Sequence, residues 1–384
     1  MKKILFIADY FPNEKNSVAE ALNSLIENVG TSNYKMVVLK ATSFYSDFIE
    51  KSTIGEIVCY GRSVCTAKAI LKSKNISIKE KVKYLFKKIG YFIKGIFIKK
   101  SVLQVKEREK ILKKIVKREK IDLIFSFTSP YNWNNCSSLK IPYLYMLYDT
   151  YITDPIVDRR YCFALERHII DNSKGYFVPH FFYEDYLKIY GENNFIKYNF
   201  PALISKEKVL QAYNSVQEKY GFAYFGQVQS FRNADKIEHI FKSLNLKLEV
   251  FTHQRDLVSD AFSIHKPLSG EDLYNSVASS RYLVVFDNSA PYENYLPSKV
   301  YLYVSFTKPI IIFGDNKDSA TIRFFKDYPN CYYQNINEPL DGLKDFLNKD
   351  FKDEFDERVF NSYIDYLPEK ATKIVVDKIN EVIV

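Results

Sequence analysis

Residues 281–314 constrain the fold of this chain more than any other stretch. Tyr282 to Phe286 is a short apolar run stopped by Asp287 and Asn288, and Ile310 to Phe313 is a second, opened by Pro309 and closed by Gly314. Runs this short and this apolar suit strands buried on both faces of a parallel sheet. Between them, Ser298 to Phe306 places Val300, Tyr301, Val304 and Ser305 on one helical face, with Pro297 where a first-turn proline is tolerated. Strand, helix and strand in this order make half of a doubly wound unit, whose binding position lies outside the carboxyl ends of the strands, at the amino end of the helix. Unpaired backbone N–H groups and the positive end of the helix dipole favour an anion there. Ser298 adds a hydroxyl and Lys299 a full positive charge, so the residue types at this turn suit a diphosphate.

The same alternation recurs along the chain. Residues 3–8 read as a first strand, Tyr10-Phe11-Pro12-Asn13 as a turn, and Val18 to Val29 as a helix apolar at Val18, Leu22, Leu25, Ile26 and Val29. Further strands are expected at 36–39, 55–60, 121–127, 141–148 and 175–179, and in the second half at 221–225 and 247–251; residues from Glu338 onward read as mainly helical. A length of 384 residues and 47% hydrophobic content provide for about two such domains.

The remaining composition narrows the function class. The apolar stretch at the amino end runs only from Ile4 to Ala8 before Asp9, which makes it a strand rather than a secretory leader, and no run of about eighteen apolar residues occurs. Five cysteines, odd in number and without a Cys-x-x-Cys pair, argue against a disulfide framework or a structural zinc; a reducing cytoplasm is the expected compartment. The formal charge of +9 is concentrated between Lys72 and Lys120, where eighteen Lys and Arg against four Glu leave a net +14 and the rest of the chain at −5. Within it Val82, Leu85, Phe86, Ile89, Phe92, Ile93, Ile96 and Phe97 recur at spacings of three and four. An amphipathic helix of this kind can lie in an anionic membrane surface, which would make the protein peripheral to the membrane. The same composition also suits a helix packed on its own sheet with a solvated lysine face. Nucleic acid is not an expected partner, because no recognition motif accompanies the charge.

Leu296-Pro297-Ser298-Lys299, the aromatic-rich helix after it and Lys308-Pro309-Ile310-Ile311 resemble the donor-site signature of retaining glycosyltransferases of the sucrose-synthase-like family. The family has the GT-B architecture: α/β, two Rossmann-like doubly wound domains facing across a cleft. The chain differs from the usual family pattern at Asn294 and Leu302, where two acidic residues eight apart are common, and at Thr307, where glycine is usual. The resemblance implies an N-terminal acceptor-side domain over residues 1–199, a donor-binding domain over 200–370, and a last helix, 371–384, crossing back to the first domain. Asn199-Phe200-Pro201 resembles the hinge between them.

It also implies the participants. The donor would be a nucleoside-diphosphate sugar and the acceptor a hydroxyl of a saccharide or lipid-linked saccharide, as in bacterial capsule and lipopolysaccharide synthesis. Gly226 would let the backbone close on the donor, Arg232 and Lys236 would reach its diphosphate, and Asn294, Tyr295, Pro297 and Ser298 would line the donor seat. Lys299 and Arg232 would stabilise the charge that develops on the departing diphosphate. Asp149, at the end of the 141–148 strand with Thr150 and Asp154 nearby, is the acceptor-side candidate, with helix capping as its alternative role. With charge supplied by side chains and no Asp-x-Asp motif in the chain, neither a metal ion nor a cofactor is expected. A nucleotide-sugar epimerase and a non-catalytic binding relative are the competing readings.

Overall fold

The computed structural model describes residues 1–12, 14, 17–41, 51–61, 100–128, 136–147, 159–254, 259–290, 292, 294–352 and 354–383. The chain divides into two compact units, one of residues 1–151, 157–200 and 372–384, the other of 152–156 and 201–371.

The N-terminal unit holds strands β1 (Lys3–Ala8), β2 (Lys35–Lys40), β3 (Lys51–Ile54), β4 (Ile57–Tyr60), β5 (Leu123–Thr128), β6 (Tyr143–Leu147), β7 (Tyr176–Pro179) and β8 (Phe195–Tyr198), in the sheet order β3-β4-β2-β1-β5-β6-β7-β8. Every pair is parallel except β3 with β4, a hairpin turned at Gly55, whose φ of 57° is a conformation glycine adopts without strain. The Ser17–Val29 helix follows β1 and buries Ala21, Leu22, Leu25, Ile26 and Val29. The Lys373–Ile383 helix belongs to this unit, and Tyr34 Oη donates to Asn380 Oδ1 at 2.6 Å. Of the basic segment, Lys100–Glu119 is helical; it buries Leu112 and Ile115 and leaves Lys110, Lys113, Lys114, Lys117 and Arg118 exposed, so this part is a packed helix with a solvated basic face. The aromatic stretch 82–97 lies outside the described residues. Among those residues, no helix is long and apolar enough to cross a membrane.

The second unit holds β9 (Tyr220–Phe225), β10 (Leu248–Phe251), β11 (Phe262–His265), β12 (Ser280–Phe286), β13 (Ile310–Gly314) and β14 (Cys331–Asn335), all parallel, in the order β11-β10-β9-β12-β13-β14. Counted within the unit, this is the doubly wound order 3-2-1-4-5-6, and its direction reverses between β9 and β12. Phe222, Tyr224, Val250, Tyr282, Val284, Phe286, Ile311 and Phe313 alternate onto one face, where Ile237, Ile240 and Phe241 of the Ala234–Ser243 helix and Phe346 of the Asp341–Leu347 helix cover them. On the other face Tyr303 of the Lys299–Ser305 helix meets Phe225 edge-on, and its hydroxyl accepts the Phe225 backbone N–H at 3.0 Å.

The central strands lie where their apolar runs predict them. The strands without a predicted counterpart are β3, β8, β11 and β14, the margins of both sheets. Their residues are mostly half-exposed, so they mix polar and apolar side chains and lack the continuous apolar run of a strand covered on both faces. Thr307, which stands where the resembling family usually has glycine, does adopt a left-handed φ of 52°. A β-branched residue is disfavoured there by about 1–2 kcal/mol; its hydroxyl accepts the Asp356 N–H at 2.9 Å.

Leu283 sits fully buried on β12, in register with Ala223 and Ile310. Leu283→Ala should lower the stability of the second unit by about 2–5 kcal/mol, read as a lower urea midpoint in a transition followed by tyrosine fluorescence.

Candidate functional site

The reversal of strand order between β9 and β12 leaves the carboxyl ends of these two strands flanked by helices that run to opposite faces, the position at which doubly wound sheets hold their ligands. The sequence supplies four kinds of group at this edge. Gly226 follows β9 with φ of 143°, and a Cβ on it would stand 2.8 Å from Lys299 Nζ and 3.0 Å from Lys299 Cε. Glycine is therefore required twice, for its backbone conformation and for the space the lysine occupies. Arg232 comes from a 3-10 turn, Ser230–Arg232, which Asn233 ends in left-handed geometry to start the Ala234–Ser243 helix. Asn288 comes from the end of β12, and Lys299 from the first position of its helix.

Arg232 is fixed by three neutral acceptors: its Nε donates to Asn288 Oδ1 at 2.8 Å, and its Nη1 to Tyr224 Oη at 3.1 Å and to the Gln227 carbonyl at 2.8 Å. Asn288 is held in turn, its Nδ2 donating to the Tyr295 carbonyl at 2.7 Å. The neighbouring carboxylate, Asp287, is buried and already engaged by the hydroxyls of Ser319 and Thr321 and by the Asn288 N–H. Burial raises its pKa, with those hydrogen bonds and the Arg232 charge opposing the rise.

Lys299 is the unusual member. Its stem is partly exposed, yet its Nζ is buried and has no hydrogen-bond partner among the described residues. The ammonium lies 3.7 Å from the centre of the Tyr224 ring, a cation–π contact. Burial, and secondarily the Arg232 charge, hold its pKa well below a lysine's ordinary 10.5. Two cations thus stand side by side at a strand-order switch, with no carboxylate bonded to either among the described residues. A ligand with several anionic oxygens would satisfy the ammonium, relieve the repulsion and restore the lysine's proton affinity.

The other expected residues are placed as follows. Lys236 does not join the pair: it is the third residue of the Ala234–Ser243 helix, and its Nζ donates to Asn337 Oδ1 at 2.8 Å, toward the loop after β14. Asn294 Oδ1 accepts from Arg323 Nη2 at 3.1 Å, and Tyr295 contributes its backbone carbonyl to Asn288. Pro297 is buried, with its carbonyl accepting the Val300 N–H at 3.0 Å. Ser298 is exposed, already helical in φ and ψ, and its side chain caps nothing; the helix it precedes is only seven residues, Lys299–Ser305, buried at Val300, Tyr301, Tyr303, Val304 and Ser305 rather than along one stripe. So short a helix carries little dipole, and the positive potential here comes from the side chains of Arg232 and Lys299. Asp149, Thr150 and Asp154 lie outside the described residues.

Sequence reasoning did not single out Tyr224, Asn288 or Tyr303. Tyr224 stands in the run Phe-Ala-Tyr-Phe, which reads as core, and Asn288 reads as a strand terminator. A tyrosine two residues before a glycine that ends a predicted first strand was the available signal. A cavity of about 400 Å³ lies in the N-terminal unit, lined by Lys3, Lys35, Glu56 and Glu119 among others. It adjoins the amino ends of β1 and β2, the edge opposite to the one where open parallel sheets keep their ligands.

Lys299→Met removes a buried ammonium and should raise the melting temperature. The sign follows from linkage: the unfolded chain holds a proton that the depressed native lysine resists, so the wild-type penalty is full below the depressed value and vanishes as pH rises past the ordinary 10.5. The gap in stability between variant and wild type should accordingly be widest at the acid end of the range, below the depressed native pKa, and close as pH rises toward 10.5 in parallel melts.

No protein-family model matches the sequence, and no curated protein matches it. Solved structures do match. The sucrose-phosphate synthase of Thermosynechococcus elongatus superposes with a TM-score of 0.58 at 8% identity, over 100% of this chain and 95% of that one. WaaG, a glycosyltransferase involved in lipopolysaccharide biosynthesis, gives 0.57 at 12% identity over 97% and 99%. The UDP-GlcNAc 2-epimerase of Methanocaldococcus jannaschii gives 0.52 at 12% identity over 99% and 100%. Likeness at these identities establishes the fold: α/β with two Rossmann-like parallel-sheet domains, the fold of the GT-B glycosyltransferases.

Proposed function

We propose that this chain is a glycosyltransferase that moves a sugar from a nucleoside-diphosphate sugar to a hydroxyl of a saccharide or lipid-linked acceptor, in the synthesis of bacterial cell-surface polysaccharide. The observation that carries the reading is the Lys299 ammonium, without a hydrogen-bond partner among the described residues, near Arg232 at the β9–β12 switch point. In the difficult step the bond from the anomeric carbon to the diphosphate breaks, its electron pair going to the leaving oxygen while the sugar gains oxocarbenium character. Charge grows on the diphosphate, where Lys299 and Arg232 stand. Preorganised donors aimed at developing charge are usually the largest catalytic contribution. The acceptor oxygen then bonds to the anomeric carbon and its proton leaves, either to the departing diphosphate or to a carboxylate, for which Asp149 is the candidate. Retention of anomeric configuration and independence of metal ions complete the proposal. Support for transfer comes from the fold shared with the T. elongatus synthase and WaaG; the epimerase of M. jannaschii supports the competing reading on the same fold.

A panel of nucleotide sugars offered with and without acceptor glycans tests this. Acceptor-dependent release of nucleoside diphosphate that persists in EDTA is expected, with Arg232→Ala lowering turnover by about 10²–10³-fold and Lys299→Ala by at least about tenfold. Acceptor-independent release of an altered sugar would assign the chain to epimerisation, and binding without turnover across the panel would make it a non-catalytic relative.

We further propose that the basic segment brings the protein to anionic membrane, where lipid-linked acceptors reside. Replacing Lys87, Lys88, Lys99 and Lys100 with glutamine should release the chain from phosphatidylglycerol vesicles in co-sedimentation while leaving activity on a soluble acceptor intact; unchanged sedimentation would return the segment to an ordinary solvated surface.

A further inference from the structure

Tyr224 touches both cations of the site. Its ring is fully buried, stacked on Phe286 with centroids 4.2 Å apart and 24° between planes, and presents a face to Lys299 Nζ at 3.7 Å. Its hydroxyl donates to the Gln227 carbonyl at 2.6 Å, which leaves oxygen lone pairs to accept Arg232 Nη1 at 3.1 Å. Among the described residues, the charged and titratable groups that act on Lys299 are Arg232 from the 3-10 turn and Tyr224 from β9; Tyr303 of its own helix interacts with both of these, and Asp287 is already engaged by Ser319 and Thr321. In a strand whose other residues only pack, phenylalanine would fill the same volume. The hydroxyl is what the packing does not explain.

We infer that Tyr224 is a positioning residue for the donor diphosphate: its π face seats the Lys299 ammonium and its hydroxyl orients the Arg232 guanidinium, holding two like charges in one geometry without neutralising either. A carboxylate at this position would bind both cations more tightly, but it would cancel the charge the diphosphate needs and compete with it for the same donors. A ring quadrupole and a neutral oxygen attract cations without carrying net charge. The site is thereby set before the ligand arrives, and the ligand supplies the negative charge. Gly226 completes the arrangement, since any side chain there would displace the ammonium from the ring. This inference rests on the proposed function, because the diphosphate it positions is the donor's.

Calorimetric titration of the full chain with inorganic pyrophosphate, from about pH 6 to pH 10, separates the two. Wild-type binding should weaken along an alkaline limb as Lys299 loses its proton, and Lys299→Met should bind weakly without that limb. Tyr224→Phe keeps the stack and the π face but not the hydroxyl, and should bind about three- to tenfold more weakly with the limb unmoved. Tyr224→Leu also removes the π face, which favours the protonated form; binding should weaken further and the limb should move down by about one pH unit. A role confined to packing would lower affinity without moving the limb. Tyr224→Phe with wild-type affinity overturns the hydroxyl's role, and an unmoved limb in Tyr224→Leu overturns the ring's; either leaves the proposed function standing. Wild-type protein that takes no pyrophosphate overturns the anion seat and both readings with it. If Tyr224→Leu does not fold, the near-isosteric Tyr224→Phe decides the inference by its affinity.

Discussion

A buried ammonium without a hydrogen-bonded anion is unfavourable in a folded protein, and among the described residues of the second unit Lys299 is one. Its helix leaves the β12–β13 connection with Val300, Tyr301, Tyr303 and Val304 buried, which fixes the rotation of the backbone and so the direction in which position 299 points. Gly226 clears the space, Tyr224 supplies the floor, and Arg232 is pinned close enough to make matters worse for the lysine's charge. Proteins retain locally destabilising features of this kind chiefly where function needs them. The cost to the fold is the gain to an anionic ligand, because a charge already stripped of water interacts strongly with whatever anion replaces it.

The sheet explains why these groups converge. Six parallel strands in doubly wound order create one position where neighbouring crossovers diverge, between β9 and β12. Gly226 and Arg232 follow the first strand, Asp287 and Asn288 the second, and Lys299 opens the helix after the second. The engagement of Asp287 by Ser319 and Thr321 matters as well, since a carboxylate turned toward Arg232 or Lys299 would form an internal ion pair and occupy donors that a ligand needs.

Much of this architecture was legible beforehand, and the pattern of success has one cause. Strands buried on both faces must be apolar along their whole length, so Leu-Val-Val-Phe in β12 and Ile-Ile-Ile-Phe in β13 announce themselves. Phe-Ile-Lys-Tyr, Phe-Ser-Ile-His and Cys-Tyr-Tyr-Gln-Asn at the sheet margins pack on fewer sides and read as loops. At the site, Lys299 was a candidate from the strand-turn-helix reading, and Gly226 and Arg232 were candidates from the resemblance to the glycosyltransferase family. Lys236 could not be separated from Arg232 on that basis; both are basic and four residues apart, and only the start of a helix between them sends one to Asn337 and the other to Asn288.

Residue order along the chain suffices for local matters: which segments are apolar on both sides, where a turn requires glycine, how positive charge is distributed. These depend on neighbours within a few positions, and the period of the pattern reports them. Whether a charge is neutralised depends instead on groups far apart in the chain. Tyr224, Arg232, Asn288 and Lys299 span 76 residues, and Asp287 is occupied by hydroxyls more than 30 positions later. Desolvation and like-charge proximity arise only when those segments are packed together, so the state of the Lys299 ammonium is a property of the folded unit that no stretch of the chain carries alone.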